Sequence, residues 1–219
     1  MLLSTNIIYV WLITLSRYKS LNYDIILNIN DYKKANEFIY KKHKNAFLLR
    51  RAILKLIISQ YTDIPALKIN ILYTKNSKPY INSTLHFNTS YTDQHLTIGL
   101  SSNNIGIDIE KSAGLSISND LIELFMSKNE IATYTNLKEH KQKDYLYAIW
   151  SAKEAVMKLL GTGFLMDPKD ITVDLHNKKA NIKNTKNSIY LYKKQGVYIA
   201  TNIHTEKIIV LDSFLHIRN

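Results

Sequence analysis

Two short stretches carry side chains whose types and spacing suit chemistry on phosphate. In "NNIGIDIEKS", residues 103–112, Ile105, Ile107 and Ile109 alternate with Gly106, Asp108 and Glu110. Successive side chains of a strand point to opposite faces, so Asp108 and Glu110 share a face with Gly106, about 6.5–7 Å apart along the strand. Their repulsion must be offset by a cation. A neighbouring lysine would do in an ordinary half-buried strand with its polar face in water; a metal ion would do in a site. In "DYLYAIWSAKEAVMKLLGTG", residues 144–163, Ser151, Glu154 and Lys158 stand at i, i+3 and i+7 and share one helix face. Leu146, Ile149, Val156 and Leu160 form the apolar stripe on another. Alone, Glu154 and Lys158 are an ordinary helical pair worth about 0.2–0.5 kcal/mol. With Asp108 and Glu110, Glu154 would complete a set of three carboxylates, which without His or Cys selects Mg2+, Mn2+ or Ca2+ over zinc. Mg2+ usually keeps waters and takes phosphate oxygens from a substrate. Gly106, on the carboxylate face, would leave room for a bulky phosphate.

These residues need elements to hold them. "IIYVWLITL", residues 7–15, is rich in β-branched and aromatic residues and reads as a first core strand. The N-terminus has neither the basic start nor the small-residue cleavage site of a secretory signal. Its apolar run is too short and too interrupted by polar residues to span a bilayer. Residues 33–60 read as a helix. "ALKINILYT" reads as a strand, "NSKPYINS" as a turn, and "LHFNTS" and "HLTIGLS" as two short strands before the Asp108 strand. Helices follow over 117–135 and 141–160, the second stopped by "GTG" with Pro168 beyond. "ITVDL", "SIYLYKK", "GVYIATNI" and "KIIVLDSFLHI" read as short strands. Strands and helices in this order predict an α+β fold rather than alternating βαβ units.

The chain has 219 residues, 46% of them apolar, enough to bury a core. It has no cysteine, which excludes disulfides, thiolate metal sites and a cysteine nucleophile and suits a reducing cytoplasm. Its histidines lack HxH or HExxH spacing, which argues against zinc. The formal net charge is +11. Residues 1–107 hold 13 Lys and Arg against 5 Asp and Glu, and residues 108–219 hold 16 against 13. Eight basic residues fall between Lys33 and Lys55, with Glu37 the one acid after Asp31. Such a charge draws in nucleic acid, a phosphorylated cofactor or an acidic protein, or it is a solvated helix face.

"IGIDIEK", followed some forty residues later by "WSAKEAVMKLLGTGF", resembles the signature pair of the 4'-phosphopantetheinyl transferases, in their longer, pseudodimeric, surfactin synthetase-activating class. Lesser marks stand in order: "VWLITLS" resembles the family's first strand, "SKPY" its GKP turn, "FNTSYTDQHLTIGLS" its FNxSHS strand pair and "FMSKNE" its F(F/S)xxE segment. The resemblance covers nearly the whole chain. It implies two similar α+β subdomains related by a pseudo-twofold, each a small, mainly antiparallel sheet packed with helices, with the site in the cleft between them. Residues 1–107 would form the nucleotide side of a coenzyme A site and residues 108–219 the metal and catalytic side. It implies transfer of the 4'-phosphopantetheine arm of coenzyme A to a serine of an acidic apo acyl or peptidyl carrier protein, with release of 3',5'-ADP.

Carried over residue by residue, the resemblance makes Asp108, Glu110 and Glu154 ligands of Mg2+, with Mn2+ as an alternative. Glu154, directly or through a water, is also the base for the incoming serine, and Glu130 orders water near the metal. Lys158 neutralises phosphate and, with Lys153, belongs to the helix motif that meets coenzyme A. Lys78, Ser90 and Tyr91 fall at nucleotide-contacting positions. The chain departs from the family pattern at Tyr91, where His is usual, and at Ser77, where Gly is usual. The family's nucleotide-binding Arg near the start of the first helix has no clear match: Lys44 lies close to that point, but a gapless alignment on Phe38 places Ala46 there, and Lys34 and Lys55 are the expected contacts. The expectation is a cytoplasmic monomer, an internal pseudodimer, that binds neither nucleic acid nor membrane.

Three other readings compete. A nucleic-acid-binding protein would use the basic 33–55 segment, but no base-stacking aromatics or binding module stand beside it at clear spacing. A family member that binds carrier protein without catalysis is opposed by the intact acidic triad. A metal-dependent nuclease would use the carboxylates but leaves the WSxKE helix without a purpose.

Overall fold

The computed structural model of the chain describes residues 7–110, 119–185 and 188–212. The first two residues of the helix expected over 117–135 and the end of the last expected strand lie outside them. The chain runs β1 (Ile7–Thr14), α1 (Ile29–Ala35), α2 (Lys41–Tyr61), β2 (Leu72–Tyr73), β3 (Pro79–Tyr80), β4 (His86–Tyr91), β5 (His95–Ser101) and β6 (Ile105–Ile109). It continues with α3 (Asn119–Phe125), α4 (Lys128–Asn136), α5 (Glu139–Leu160), β7 (Ile171–Asp174), β8 (Lys179–Ile182), β9 (Ser188–Lys194), β10 (Val197–Thr201) and β11 (Lys207–Leu211). The fold is α+β. One sheet has the order β11-β1-β5-β4, a second β6-β10-β9-β8-β7, and β2 pairs with β3 apart from both. Every pairing is antiparallel except β1 with β11, which brings the end of the chain back beside its beginning.

β1 is buried on both faces because its alternate residues serve different cores. Trp11 and Ile13 join Leu96, Ile98 and Leu100 of β5 against α2. Ile8 and Val10 meet Ile105 and Ile107 of β6 and Val197 and Ile199 of β10. This second layer lies between the two sheets and joins the halves of the chain. A third core packs α5 on the second sheet through Ile149, Ala152, Ala155, Val156 and Leu191. Of the expected α5 stripe, Leu146, Ile149 and Val156 are buried, whereas Leu160 is largely exposed.

Three local expectations change. The helix expected over 33–60 divides into α1 and α2, because the chain leaves helical geometry before Tyr40, whose backbone is extended at the start of α2. The helix expected over 117–135 divides at Ser127, whose hydroxyl caps α4 while Glu130 returns to the Ser127 backbone; such a reciprocal cap starts a new helix. The strand expected from "ALKINILYT" shrinks to β2, since Ala66–Lys68 turn as a short 3-10 segment.

α5 is held by three devices. Its backbone lies directly on β6: a Cβ at Gly106 would come 2.0 Å from the Ala155 carbonyl oxygen and 2.3 Å from the Leu159 nitrogen. Gly106 therefore admits the helix, not a phosphate as its place on the carboxylate face suggests. Lys153, fully buried, ion-pairs with Glu130 at 2.7 Å and donates to the carbonyls of Phe125 and Pro168. At its C-terminus Gly161 takes the left-handed conformation with φ 68°, the usual helix stop.

Gly106→Ala is expected to lower stability by about 3 kcal/mol, the upper end for an overpacked core, because the atoms met are backbone and cannot rotate away. Lys153→Met leaves the Glu130 carboxylate buried without its cation, and breaking a buried pair in this way costs about 3–5 kcal/mol. Thermal and urea melts check both; unchanged midpoints would show that α5 is fixed by something else.

Candidate active site

The edge strand of each sheet supplies one wall of the site. β4 and β6 are joined by the Asn88 side chain, whose Oδ1 accepts from the Ile107 backbone N–H at 3.0 Å. Two residues along β4, on the same face, the Ser90 hydroxyl donates to Asp108 Oδ1 at 2.8 Å. α5 crosses above. Lys158 Nζ donates to the same Asp108 oxygen at 2.6 Å and to Ser90 Oγ at 3.1 Å, and pairs with Glu154 at 3.2 Å. Glu110 lies one residue past the end of β6, where its Oε1 accepts from Trp150 Nε1 of α5 at 3.2 Å. Asp108, Glu154, Lys158 and Ser90 thus meet in one cluster, with Glu110 beside it.

Electrostatics mark the cluster. Burial, followed by the charges of Asp108 and Glu154, raises the Glu110 carboxyl above its ordinary value, with the Trp150 hydrogen bond acting against them. Burial alone would lower the Lys158 ammonium, but Asp108 and Glu154 outweigh it and hold its pKa above the ordinary value. The cation that the paired carboxylates of the strand demand is thus, in this structure, Lys158. One ammonium pairs with two carboxylates, Asp108 and Glu154, with Glu110 near by. Asp108 is 1% exposed, both its donors act on Oδ1, and Oδ2 is buried with no hydrogen-bond partner. Buried carboxylate oxygens ordinarily find partners.

Among the described residues, no three His, Cys, Asp or Glu side chains stand close enough together to hold an ion as they are. The donor set nevertheless suits a hard divalent cation. It consists of carboxylates, it carries excess negative charge, and the orphaned Asp108 oxygen lacks a positive partner.

The other expected site residues are dispersed. Glu130 is a structural hub: Oε1 accepts from the Val173 N–H at 2.8 Å, and Oε2 takes the Ser127 N–H and Lys153. Lys153 turns inward with it. Lys78 reaches across to the end of α5, donating to the Leu159 carbonyl at 2.8 Å and the Asn104 side chain at 2.6 Å, and burial lowers its pKa to about 8. Lys55 is fully buried against Asp31 at 2.6 Å. Lys34 is exposed and pairs with Glu37 at 2.6 Å. Tyr91 is 57% exposed, with the Arg50 guanidinium 3.8 Å from its ring centre. Asn88 and Arg50 escape the sequence analysis; the "FNTS" strand pattern holds the signal for Asn88, but nothing local singles out Arg50 among the eight basic residues from Lys33 to Lys55.

A sequence model of the 4'-phosphopantetheinyl transferase superfamily matches residues 104–204, which span β6 to β10. The 4'-phosphopantetheinyl transferase gsp of Aneurinibacillus migulanus is 26% identical over 174 residues, 77% of this chain and 72% of that protein. The 4'-phosphopantetheinyl transferase ffp of Bacillus subtilis is 30% identical over 146 residues, 66% of this chain and 64% of that protein, so the chain spans just under two thirds of it. The holo-[acyl-carrier-protein] synthase of Mycoplasma mycoides subsp. mycoides is 33% identical over 82 residues, 37% of this chain and 73% of that protein. The matched span contains Asp108, Glu110, Glu154 and Lys158, and with these similarities the chain belongs to the 4'-phosphopantetheinyl transferase superfamily.

Proposed function

We propose that the protein transfers the 4'-phosphopantetheine arm of coenzyme A to a serine hydroxyl of an acidic apo acyl or peptidyl carrier protein, releasing 3',5'-ADP in a Mg2+-dependent reaction. The observation that carries this reading is the partnerless, buried Asp108 Oδ2 in a cluster with Glu154 and Lys158 and beside Glu110. On this reading residues 1–107 carry the nucleotide side of the coenzyme A site, and residues 108–219 carry the catalytic side. The absence of cysteine suits a cytoplasmic enzyme, and among the described residues no helix is long and apolar enough to cross a membrane.

Asp108, Glu110 and Glu154 would hold the ion, with Mn2+ as an alternative. Bound there, it would supply positive charge to the pyrophosphate and to the leaving phosphate oxygen. The remaining steps belong to the chain's own groups. Glu154, only 17% exposed, takes the proton of the carrier serine as its oxygen bonds to the pantetheine phosphorus. The bond from that phosphorus to the bridging pyrophosphate oxygen breaks, and the electron pair leaves with 3',5'-ADP. Lys158, held protonated by Asp108 and Glu154, offsets the negative charge on the phosphate; transfer of this kind is mostly positioning and charge stabilisation. Ser90 fixes the Asp108 carboxylate and the Lys158 ammonium in one orientation. The inward turn of Lys153 and Glu130 supports a role in aligning α5 rather than in touching coenzyme A or metal-bound water.

Intact mass of apo carrier proteins incubated with the enzyme, coenzyme A and Mg2+ is expected to rise by one phosphopantetheine arm. Glu154→Gln removes the base and a ligand charge; Asp108→Asn removes a ligand charge. Each is expected to slow modification by roughly two to four orders of magnitude, with Glu154→Gln slower and melts close to those of the unsubstituted protein. Near-normal rates in both variants would sink the metal-site reading, and no mass gain with any carrier would sink the reaction.

A further inference from the structure

Lys78 is expected to meet a nucleotide, but its ammonium faces neutral oxygens of the chain itself. It donates to the Leu159 carbonyl at 2.8 Å, to Asn104 Oδ1 at 2.6 Å and to the Ile105 carbonyl at 3.4 Å. An ammonium has three donors, so these acceptors use all of them. No carboxylate pairs with it among the described residues, and burial lowers its pKa to about 8. Asn104 Nδ2 donates to the same Leu159 carbonyl at 2.8 Å, which fills both lone pairs of that oxygen. Desolvating a cation without a counter-ion is costly, and these three aligned oxygens offset that cost.

The acceptor lies at the point where α5 leaves the core. The last four carbonyls of a helix have no partner within it, and together they carry partial negative charge. Leu159 is the last buried residue of α5, and residues 160–163 are exposed or half-buried. Its nitrogen rests on β6, where a Cβ at Gly106 would come 2.3 Å from it; its carbonyl is closed by Lys78 and Asn104. Lys158 is the residue before it. Ile105, at the start of β6, is three residues before Asp108. The Lys78 ammonium thus ties the start of β6 to the end of α5, the two elements whose Asp108 and Lys158 meet at 2.6 Å. The lysine is itself well fixed. The Thr74 N–H donates to the Lys78 carbonyl at 2.9 Å, the Lys78 N–H donates to the Thr74 hydroxyl at 3.1 Å, and Ser77 takes the left-handed conformation with φ 63°. The lysine stem passes over Gly161, where a Cβ would come 3.2 Å from Lys78 Cδ.

We infer that Lys78 is a positioning residue: by closing the C-terminal turn of α5 from the other half of the chain, it holds Lys158 on Asp108. The inference rests on the proposed transfer reaction for what that pair does, and it departs from the expectation that Lys78 contacts the nucleotide. A nucleotide contact acts equally in ground and transition states, so its loss raises KM and leaves kcat unchanged. A residue that orients the Lys158–Asp108 pair acts where the phosphate reacts. Its loss lowers kcat and leaves nucleotide affinity unchanged.

Amide hydrogen exchange, calorimetric titration with 3',5'-ADP and carrier-modification kinetics test this on the full chain. The variants are Lys78→Met, which keeps the stem, and Asn104→Ala, which removes the second tie. The Gly161 and Thr162 N–H groups both donate to the Met157 carbonyl and report on the last turn of α5. In Lys78→Met their exchange is expected to quicken roughly ten- to hundredfold, the range for a lost hydrogen bond to a charged group. The same variant is expected to lower kcat roughly ten- to hundredfold, as small misplacements at a reacting centre do, while 3',5'-ADP binds as before. Asn104→Ala should shift exchange and kcat in the same direction by less, and Lys78→Arg, which keeps charge and donors, should recover part of both. The inference is overturned if exchange at the two groups is unchanged in Lys78→Met and Asn104→Ala, if kcat is unchanged, or if Lys78→Met weakens 3',5'-ADP about tenfold or more, the mark of a direct contact. If the unsubstituted protein modifies no carrier, the transfer reaction fails; faster exchange with unchanged 3',5'-ADP binding would then still support the tie from Lys78 to α5.

Discussion

The space that a side chain would fill at Gly106 is occupied by the backbone of α5. A methyl group there would overlap the Ala155 carbonyl and the Leu159 nitrogen, so β6 and α5 meet main chain to main chain. That contact sets the distance and register of everything around it. Asp108 lies two residues along β6 on the same face, and Glu154 and Lys158 flank Ala155 and Leu159 on α5. A side chain between strand and helix would hold them apart; its absence lets Lys158 reach Asp108 at 2.6 Å. A similar economy operates on the other face of β6, where a Cβ at Gly99 would come 2.8 Å from Ile107. β6 is thus pressed between α5 and the first sheet by two glycines, neither of which is in a turn.

Charge then decides what such close packing can hold. Nearby carboxylates disfavour one another's ionisation, and at Glu110 the charges of Asp108 and Glu154 add to burial in raising the carboxyl above its ordinary value. Lys158 relieves part of this through its pairs with Asp108 and Glu154. Both of its strong contacts nonetheless fall on one side: Asp108 Oδ1 takes Lys158 and Ser90, while Oδ2 takes nothing. An ionised carboxylate can accept on both oxygens. The asymmetry leaves one oxygen of Asp108 unpaired, so an ion proposed there would add to the lysine rather than replace it.

Local spacing made part of this legible. The alternation through Ile105–Ile109 and the i, i+3, i+7 placement of Ser151, Glu154 and Lys158 are properties of single elements, and strand and helix form where they predict. The meeting of those elements is a different kind of fact. Gly106 reads as room for phosphate because nothing in its own segment says that a helix forty residues later will cover it. The parallel pairing of β1 with β11 joins residues about 200 positions apart and leaves no local trace. Continuous apolar periodicity through 33–60 hides the break before Tyr40, and Lys153, which the resemblance places toward coenzyme A, turns inward onto Glu130.

The basic segment of α2 shows how far composition reaches and where it stops. Its excess of positive charge is visible in the sequence, and an anionic partner is a sound expectation from it. Which of these cations keeps its charge unpaired depends on where the counter-charge lies. Asp31, on α1, caps its own helix and draws Lys55 inward. Arg51 is four residues before Lys55, on the same side of α2, and must share that carboxylate at a longer distance. Arg50 is one residue further back, turned about 100° round the helix axis, beyond the reach of Asp31 and against Tyr91. One acidic residue on a neighbouring helix therefore sorts the basic ones, drawing Lys55 inward and leaving Arg50 against Tyr91.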